Sequence, residues 1–113
     1  RGSLSGKIEI SGTQGHIAYP NLSNNPINTL VSICKKLKEK KLDKGNKNFQ
    51  PSNLEFTSID VNNKAHNVIP AKAKAQFNIR YNNFHTANSL KKKINKVVRN
   101  LCKKNKPAIA CQS

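Results

Sequence analysis

Two stretches of strict two-residue alternation, two amphipathic stretches of helical period, and the order in which they follow one another predict an α+β fold. The expected arrangement is a ferredoxin-like βαββαβ two-layer sandwich: a four-stranded antiparallel sheet covered on one face by two helices. The clearest alternation runs from Ala71 to Tyr81. There Ala71, Ala73, Ala75, Phe77, Ile79 and Tyr81 share one face, and Lys72, Lys74, Gln76, Asn78 and Arg80 share the other.

The remaining elements follow in order. Ser3 to Ser11 sets Leu4, Gly6, Ile8 and Ile10 against Ser5, Lys7 and Glu9, the period of a half-buried strand. Ser11 to Asn21 carries two glycines and a proline and reads as a loop too long for a tight turn. Asn24 or Asn25 can cap a helix that has Pro26 in its first turn. Ile27, Leu30, Val31, Cys34 and Leu37 then mark its apolar face, and Gly45 is expected to end it. Leu54 to Val61 reads as a second strand whose apolar parity shifts between Phe56 and Ile59, the mark of a bulge. Asn62 to Pro70 is a connection. Thr86 or Asn88 starts the second helix, with Leu90, Ile94, Val97, Val98 and Leu101 inward. Pro107 is expected to stop it, and Ala108 to Cys111 to form a last short strand. In this topology the first and third strands take the middle of the sheet, so Leu54 to Val61 should lie at an edge.

A length of 113 residues suits one domain with a single small core. The chain has no Met and opens Arg1-Gly2-Ser3, so residues 1–113 are expected to be one domain excised from a longer protein. No apolar run approaches a membrane span, and no membrane partner is expected. The net charge of +16 raises nucleic acid as a partner. Nearly all of it is Lys, however, with only Arg1, Arg80 and Arg99 to supply the planar fork that phosphates and base edges favour. Lys, Asn and Ile share A-rich codons, so drift accounts for much of the excess. The lysines read mainly as a solvated surface, with some attraction for an anionic small molecule. RNA-recognition domains share this element order and stack bases on aromatics of the first and third strands. Here the first strand shows only Lys7 and Glu9 outward, while Phe77 and Tyr81 belong to the helix-covered face, so no nucleic-acid partner is expected.

Cys34, Cys102 and Cys111 show no paired spacing; Cys34 and Cys102 continue apolar stripes and suit a reducing cytoplasm. Three histidines and five carboxylates are spread without metal-ligand spacing, so no metal is expected within this piece. Glu39 and Asp43, one helical turn apart among lysines, suit surface ion pairing. No Ser or Cys nucleophile lies beside a His in a recognised motif. These observations describe a binding or assembly domain.

One run is more specific. Gly12-Thr13-Gln14-Gly15-His16-Ile17-Ala18-Tyr19-Pro20, followed by Asn25-Pro26, Asn67-Val68-Ile69-Pro70 and Phe77-Asn78-Ile79-Arg80, resembles the lid and dimerisation domain of the zinc exopeptidase and deacylase family over essentially the whole chain. Arg1-Gly2-Ser3-Leu4 and the form His16-Ile17-Ala18-Tyr19-Pro20 are most similar to its desuccinylase branch, with the lid of a deacetylase or another deacylase or peptidase as the alternative. His66 stands where that branch has a further Asn. The resemblance implies a hydrolase in which two zinc ions and a Glu general base sit in a separate catalytic domain and an amide carbonyl becomes an oxyanion. It implies that His16 donates to that oxyanion in the partner subunit's active site, and that Tyr19, Asn67 and Arg80 lie near an anionic substrate. It also implies a homodimer formed through the second strand and first helix about a twofold axis.

Overall fold

The computed structural model describes residues 2–18, 25–40, 42–45, 47, 51–102 and 105–112. Chain order is β1 (Gly2–Ser11), β2 (Gly15–His16), α1 (Pro26–Glu39), β3 (Asn53–Asp60), β4 (Val68–Ile69), β5 (Lys72–Tyr81), α2 (Ala87–Leu101) and β6 (Lys106–Gln112). The main sheet has the order β3-β5-β1-β6, and every pairing is antiparallel. The first and third long strands therefore hold the middle, as the topology requires, and β3 is an edge.

The central pair is continuous. β1 and β5 match residue for residue from Gly2 opposite Tyr81 to Ser11 opposite Lys72, and the Gly12 N–H adds a further bond to the Ala71 carbonyl at 2.7 Å. Leu4, Ile8 and Ile10 of β1 and Ala73, Ala75, Phe77 and Ile79 of β5 lie on one face, fully buried under the helices. The alternation read from the sequence is thus the alternation of burial. Ala71 is exposed and precedes the strand.

Glycine at position 6 has a steric reason. It lies opposite Phe77, and a Cβ added there would run into the Phe77 ring. The ring lies across the strand and meets Phe56 of β3 edge-on, with centroids 6.2 Å apart. Gly2 and Tyr81 repeat the arrangement four residues nearer the start of β1. The expected irregularity in β3 falls between Phe56 and Ser58. It keeps Leu54, Phe56 and Ile59 opposite Ile79, Phe77 and Ala75, with Leu54 buried, Phe56 packed against the core and Ile59 left exposed.

Asn25 caps α1 by accepting from the Ile27 N–H at 3.0 Å, with Pro26 in the first turn. Its buried stripe is Pro26, Leu30, Ile33 and Leu37. Val31 was expected inward and instead faces solvent, because the helix turns its contact face between Leu30 and Ile33. The helix also ends earlier than expected, at Glu39. Gly45, with φ 75°, shapes the following connection. Thr86 starts α2 in a reciprocal capping box with Ser89, at 3.1 and 3.0 Å. Leu90, Ile94, Val97 and Val98 are buried beneath it. Pro107 does not stop this helix: α2 ends at Leu101, and Pro107 sits in β6, an edge strand where a missing N–H is tolerated. Cys34, Cys102 and Cys111 are half-buried free thiols packed against the core, and burial raises the pKa of each. Buried Asn105 joins α1 to β1, accepting from Thr29 Oγ1 at 2.6 Å and donating to the Ser11 carbonyl at 3.3 Å.

Gly6→Ala should destabilise the domain by about 1–3 kcal/mol, because the added Cβ would overlap the buried Phe77 ring and force it to shift. Urea unfolding followed by circular dichroism measures this, and an unchanged midpoint would contradict the packing described.

Candidate functional site

Sequence periodicity predicts loops over Ser11 to Asn21 and Asn62 to Pro70. The structure pairs a short segment of one with a short segment of the other. β2 and β4 form a separate two-stranded ribbon, with Gly15 opposite Ile69 and His16 opposite Val68. The Ile17 N–H continues it by donating to the Asn67 carbonyl at 3.1 Å. Two-residue strands are too short for periodicity to detect. Through this ribbon the backbones of His16 and Asn67 come together, although 51 residues separate them in sequence. Ile17 beside them is 54% exposed. Tyr19 lies outside the described residues.

Arg80 is elsewhere. It pairs with Ser3 and Asn53 near the opposite end of β5. Eight residue steps separate it from Lys72, the first residue of β5 beyond the ribbon, which is roughly 26 Å at about 3.3 Å per residue. Its side chain stands on the open sheet face beside a groove of about 730 Å³ lined by Ser5, Lys7, Gln76, Asn78 and Gln112 among others. Asn78 is fixed there by donating to Ser5 Oγ at 3.0 Å and Ser3 Oγ at 3.4 Å. The rest of this face is charge-balanced in part: Lys72 and Lys74 each lie 3.6 Å from Glu9. The outward faces of β1 and β5 carry no aromatic, so the stacking platform of an RNA-recognition domain is missing.

Just past Arg80, the sequence concealed a buried polar network. Asp43 Oδ1 accepts from the Gly45 N–H at 2.9 Å, the Ser52 N–H at 3.1 Å and Asn82 Nδ2 at 2.9 Å. Ser52 Oγ in turn accepts from the Asn82 N–H at 3.0 Å. His85 Nε2 lies 2.9 Å from Asp43 Oδ2 and 3.1 Å from the Leu42 carbonyl. Two acceptors, the Leu42 carbonyl and Asp43 Oδ2, thus face the same ring nitrogen. Asp43 is therefore not the surface ion-pair partner of lysines that the sequence suggests, whereas Glu39 does lie 3.9 Å from Lys35. The helix stops before Asp43, and its carboxylate turns inward. Burial opposes its ionisation, but the bonds from Ser52, Asn82 and Gly45 outweigh burial and hold the carboxyl well below the usual aspartate range. Only the Asp-Lys-Gly turn was visible as a local signal.

Among the described residues no group of three His, Cys, Asp or Glu side chains could hold a metal, and no helix is long and apolar enough to cross a membrane. The edge strand β3 and the helix α1 each leave one large apolar side chain in solvent, Ile59 at 61% and Val31 at 59% exposed.

The family model of the peptidase dimerisation domain matches residues 1–106. The chain belongs to that family. The dimerisation domain is 53% identical, over 94% of its length, to a succinyl-diaminopimelate desuccinylase of Pelagibacter ubique, and 54% identical over 86% to one of Ehrlichia chaffeensis. It spans 28% and 26% of those two proteins, just over a quarter of each. Among solved structures, a putative aminohydrolase from methicillin-resistant Staphylococcus aureus matches 99% of the domain with a TM-score of 0.84 at 18% identity, over 30% of that chain. The aminobenzoyl-glutamate utilization protein of Klebsiella pneumoniae matches 96% with a TM-score of 0.79 at 12% identity, over 27% of that chain. These two likenesses are of fold.

The depressed pKa of Asp43 gives the dimerisation domain an acid limit. A group whose folded pKa lies below its unfolded value of about 3.9 stabilises fully above that value and loses its contribution progressively as pH falls from there to the lower folded value. Asp43→Ala should cost about 3 kcal/mol at neutral pH by orphaning buried donors. It should also flatten the loss of stability between about pH 5 and about pH 3. Urea unfolding across that range measures both, and an equal acid slope in the variant would contradict the assignment.

Proposed function

We propose that this domain is the lid and dimerisation part of a succinyl-diaminopimelate desuccinylase, a cytoplasmic zinc-dependent enzyme of lysine and cell-wall precursor synthesis. That enzyme hydrolyses N-succinyl-LL-2,6-diaminopimelate to succinate and LL-diaminopimelate. The observation that carries the reading is 53% identity over 94% of the chain to a protein so named. The metal ligands would lie in a catalytic domain outside these residues, since the described residues do not fit a metal site. The zinc ions would supply Lewis acidity at the scissile carbonyl.

The lid's contribution is positioning and charge. An imidazole N–H at His16 suits donation to the oxyanion, with Tyr19 and Asn67 beside the same substrate. Arg80 presents a planar fork suited to a carboxylate. One lid cannot bring both ends to one substrate. Even a substrate as long as four extended residues reaches roughly 14 Å, about half the span from the ribbon to Arg80. A twofold dimer resolves this: the ribbon serves the partner subunit's site, and Arg80 faces the site of its own chain. The unpaired edge of β3, with Ile59 and with Val31 on α1, supports an interface through these two elements.

In the full-length enzyme, His16→Ala should lower kcat by about 10²–10³-fold while KM and zinc content stay near wild type. Mixing this variant with one that has an intact lid and a disabled metal site creates one complete site per mixed dimer. Activity should return to about half of wild type. If mixed dimers form and stay inactive, His16 does not act across the dimer. Ile59→Lys should weaken dimerisation by about 2 kcal/mol, or roughly thirtyfold in Kd. Sedimentation of the full-length protein reads this directly, and an unshifted dimer would move the interface elsewhere.

A further inference from the structure

The ribbon that carries His16 has only two residues on each side, so its geometry depends on what braces it from outside. Hydrogen-bonded and non-bonded pairs alternate along an antiparallel ladder. Because the Ile17 N–H bonds to the Asn67 carbonyl, the neighbouring pair, His16 and Val68, is the one without a mutual bond. The Val68 carbonyl therefore turns away from β2, where no third strand of the ribbon receives it.

Asn63 receives it instead. Its Nδ2 donates to the Val68 carbonyl at 2.9 Å, while its Oδ1 accepts from the Ala65 N–H at 3.2 Å. One side chain thus closes a turn and ties that turn to the strand opposite His16. The approach to Asn63 is set as well. Asp60 Oδ1 accepts from the Asn62 N–H at 3.1 Å, and Asn62 takes the left-handed conformation at φ 55°, which Asn tolerates better than most residues. Both bonds of Asn63 are exposed, so the fold as a whole depends little on them.

We infer that Asn63 is a positioning residue for His16. It acts through the Val68 backbone and never touches substrate, and it rests on the oxyanion role proposed for His16. Asn63→Asp is the informative change: it keeps the acceptor for Ala65 and removes the donor for Val68. In the full-length dimer kcat should fall by about 10–100-fold, the scale of a sub-ångström to ångström misplacement of a reacting group. KM, zinc content and unfolding temperature should not move. Added to His16→Ala, the same change should lower kcat no further, because the group it positions is already gone. A wild-type kcat in Asn63→Asp, a loss that multiplies with that of His16→Ala, or a loss accompanied by a raised KM and a lower unfolding temperature would each overturn the assignment. A wild-type kcat in His16→Ala would remove the oxyanion role itself, and that outcome is separable from the others.

Discussion

The pairing of β1 with β5 sets nearly everything else in this domain. Ten residues of each strand match without a slip, and their inward faces differ in size: a glycine and aliphatic residues on one strand, alanines and one large ring on the other. Phe77 can cross to β1 only because position 6 has no side chain, and having crossed it offers an edge for Phe56. A slip of one residue would place lysines and serines under the helices, so register and core are one decision. The two ends of the sheet are fixed by the same pairing. At one end Gly12 bonds Ala71 and the chain runs into the ribbon; at the other Gly2 faces Tyr81 and the chain runs into the Asp43 network.

How much of this was legible depended on how each feature is encoded. Period-two and period-3.6 patterns need several repeats, so β1, β5 and α2 were readable, and the parity shift at Phe56 marked the irregularity in β3. Val31 was misplaced because Leu30, Val31 and Ile33 are all apolar, and only packing decides which of three adjacent residues turns inward. Pro107 was misread because a proline is compatible both with a helix stop and with an edge strand. The ribbon was invisible as structure, since two residues have no period. His16 and Asn67 were singled out by resemblance, and their adjacency came only from the structure. The Asp43 network was legible only as an Asp-Lys-Gly turn: its members come from three separate segments, and buried polar groups leave no pattern in a single sequence.

The two ends differ in how firmly they are held. Around Asp43, nearly buried donors converge on one oxygen, and in low dielectric such bonds are strong when made and costly when lost. The turn that follows Arg80 is therefore firmly held. At the ribbon end the bonds are exposed and few, so local opening there needs much less free energy than unfolding. On the proposed reading this division suits a lid: the end facing its own catalytic domain stays fixed, and the end reaching to the neighbour retains freedom to close.

That division also constrains the assembly. On the proposed reading the ribbon and Arg80 work at ends of the sheet about 26 Å apart, and the sheet cannot fold back on itself because the strands joining them are the core. On that reading the two ends would share one substrate only by coming from different chains, and a twofold axis at the β3 edge would treat both active sites alike. An edge strand is usually protected against pairing by charge, bulges or cover. Here β3 carries an irregularity and Glu55 held by Lys38 at 2.6 Å, yet it leaves Ile59 in solvent. A monomer gains nothing from that exposure. In a twofold pair Ile59 and Val31 would be covered while the net charge of +16 on each chain opposes association. On the proposed reading such an interface would be apolar at its centre, with the lysines towards its rim.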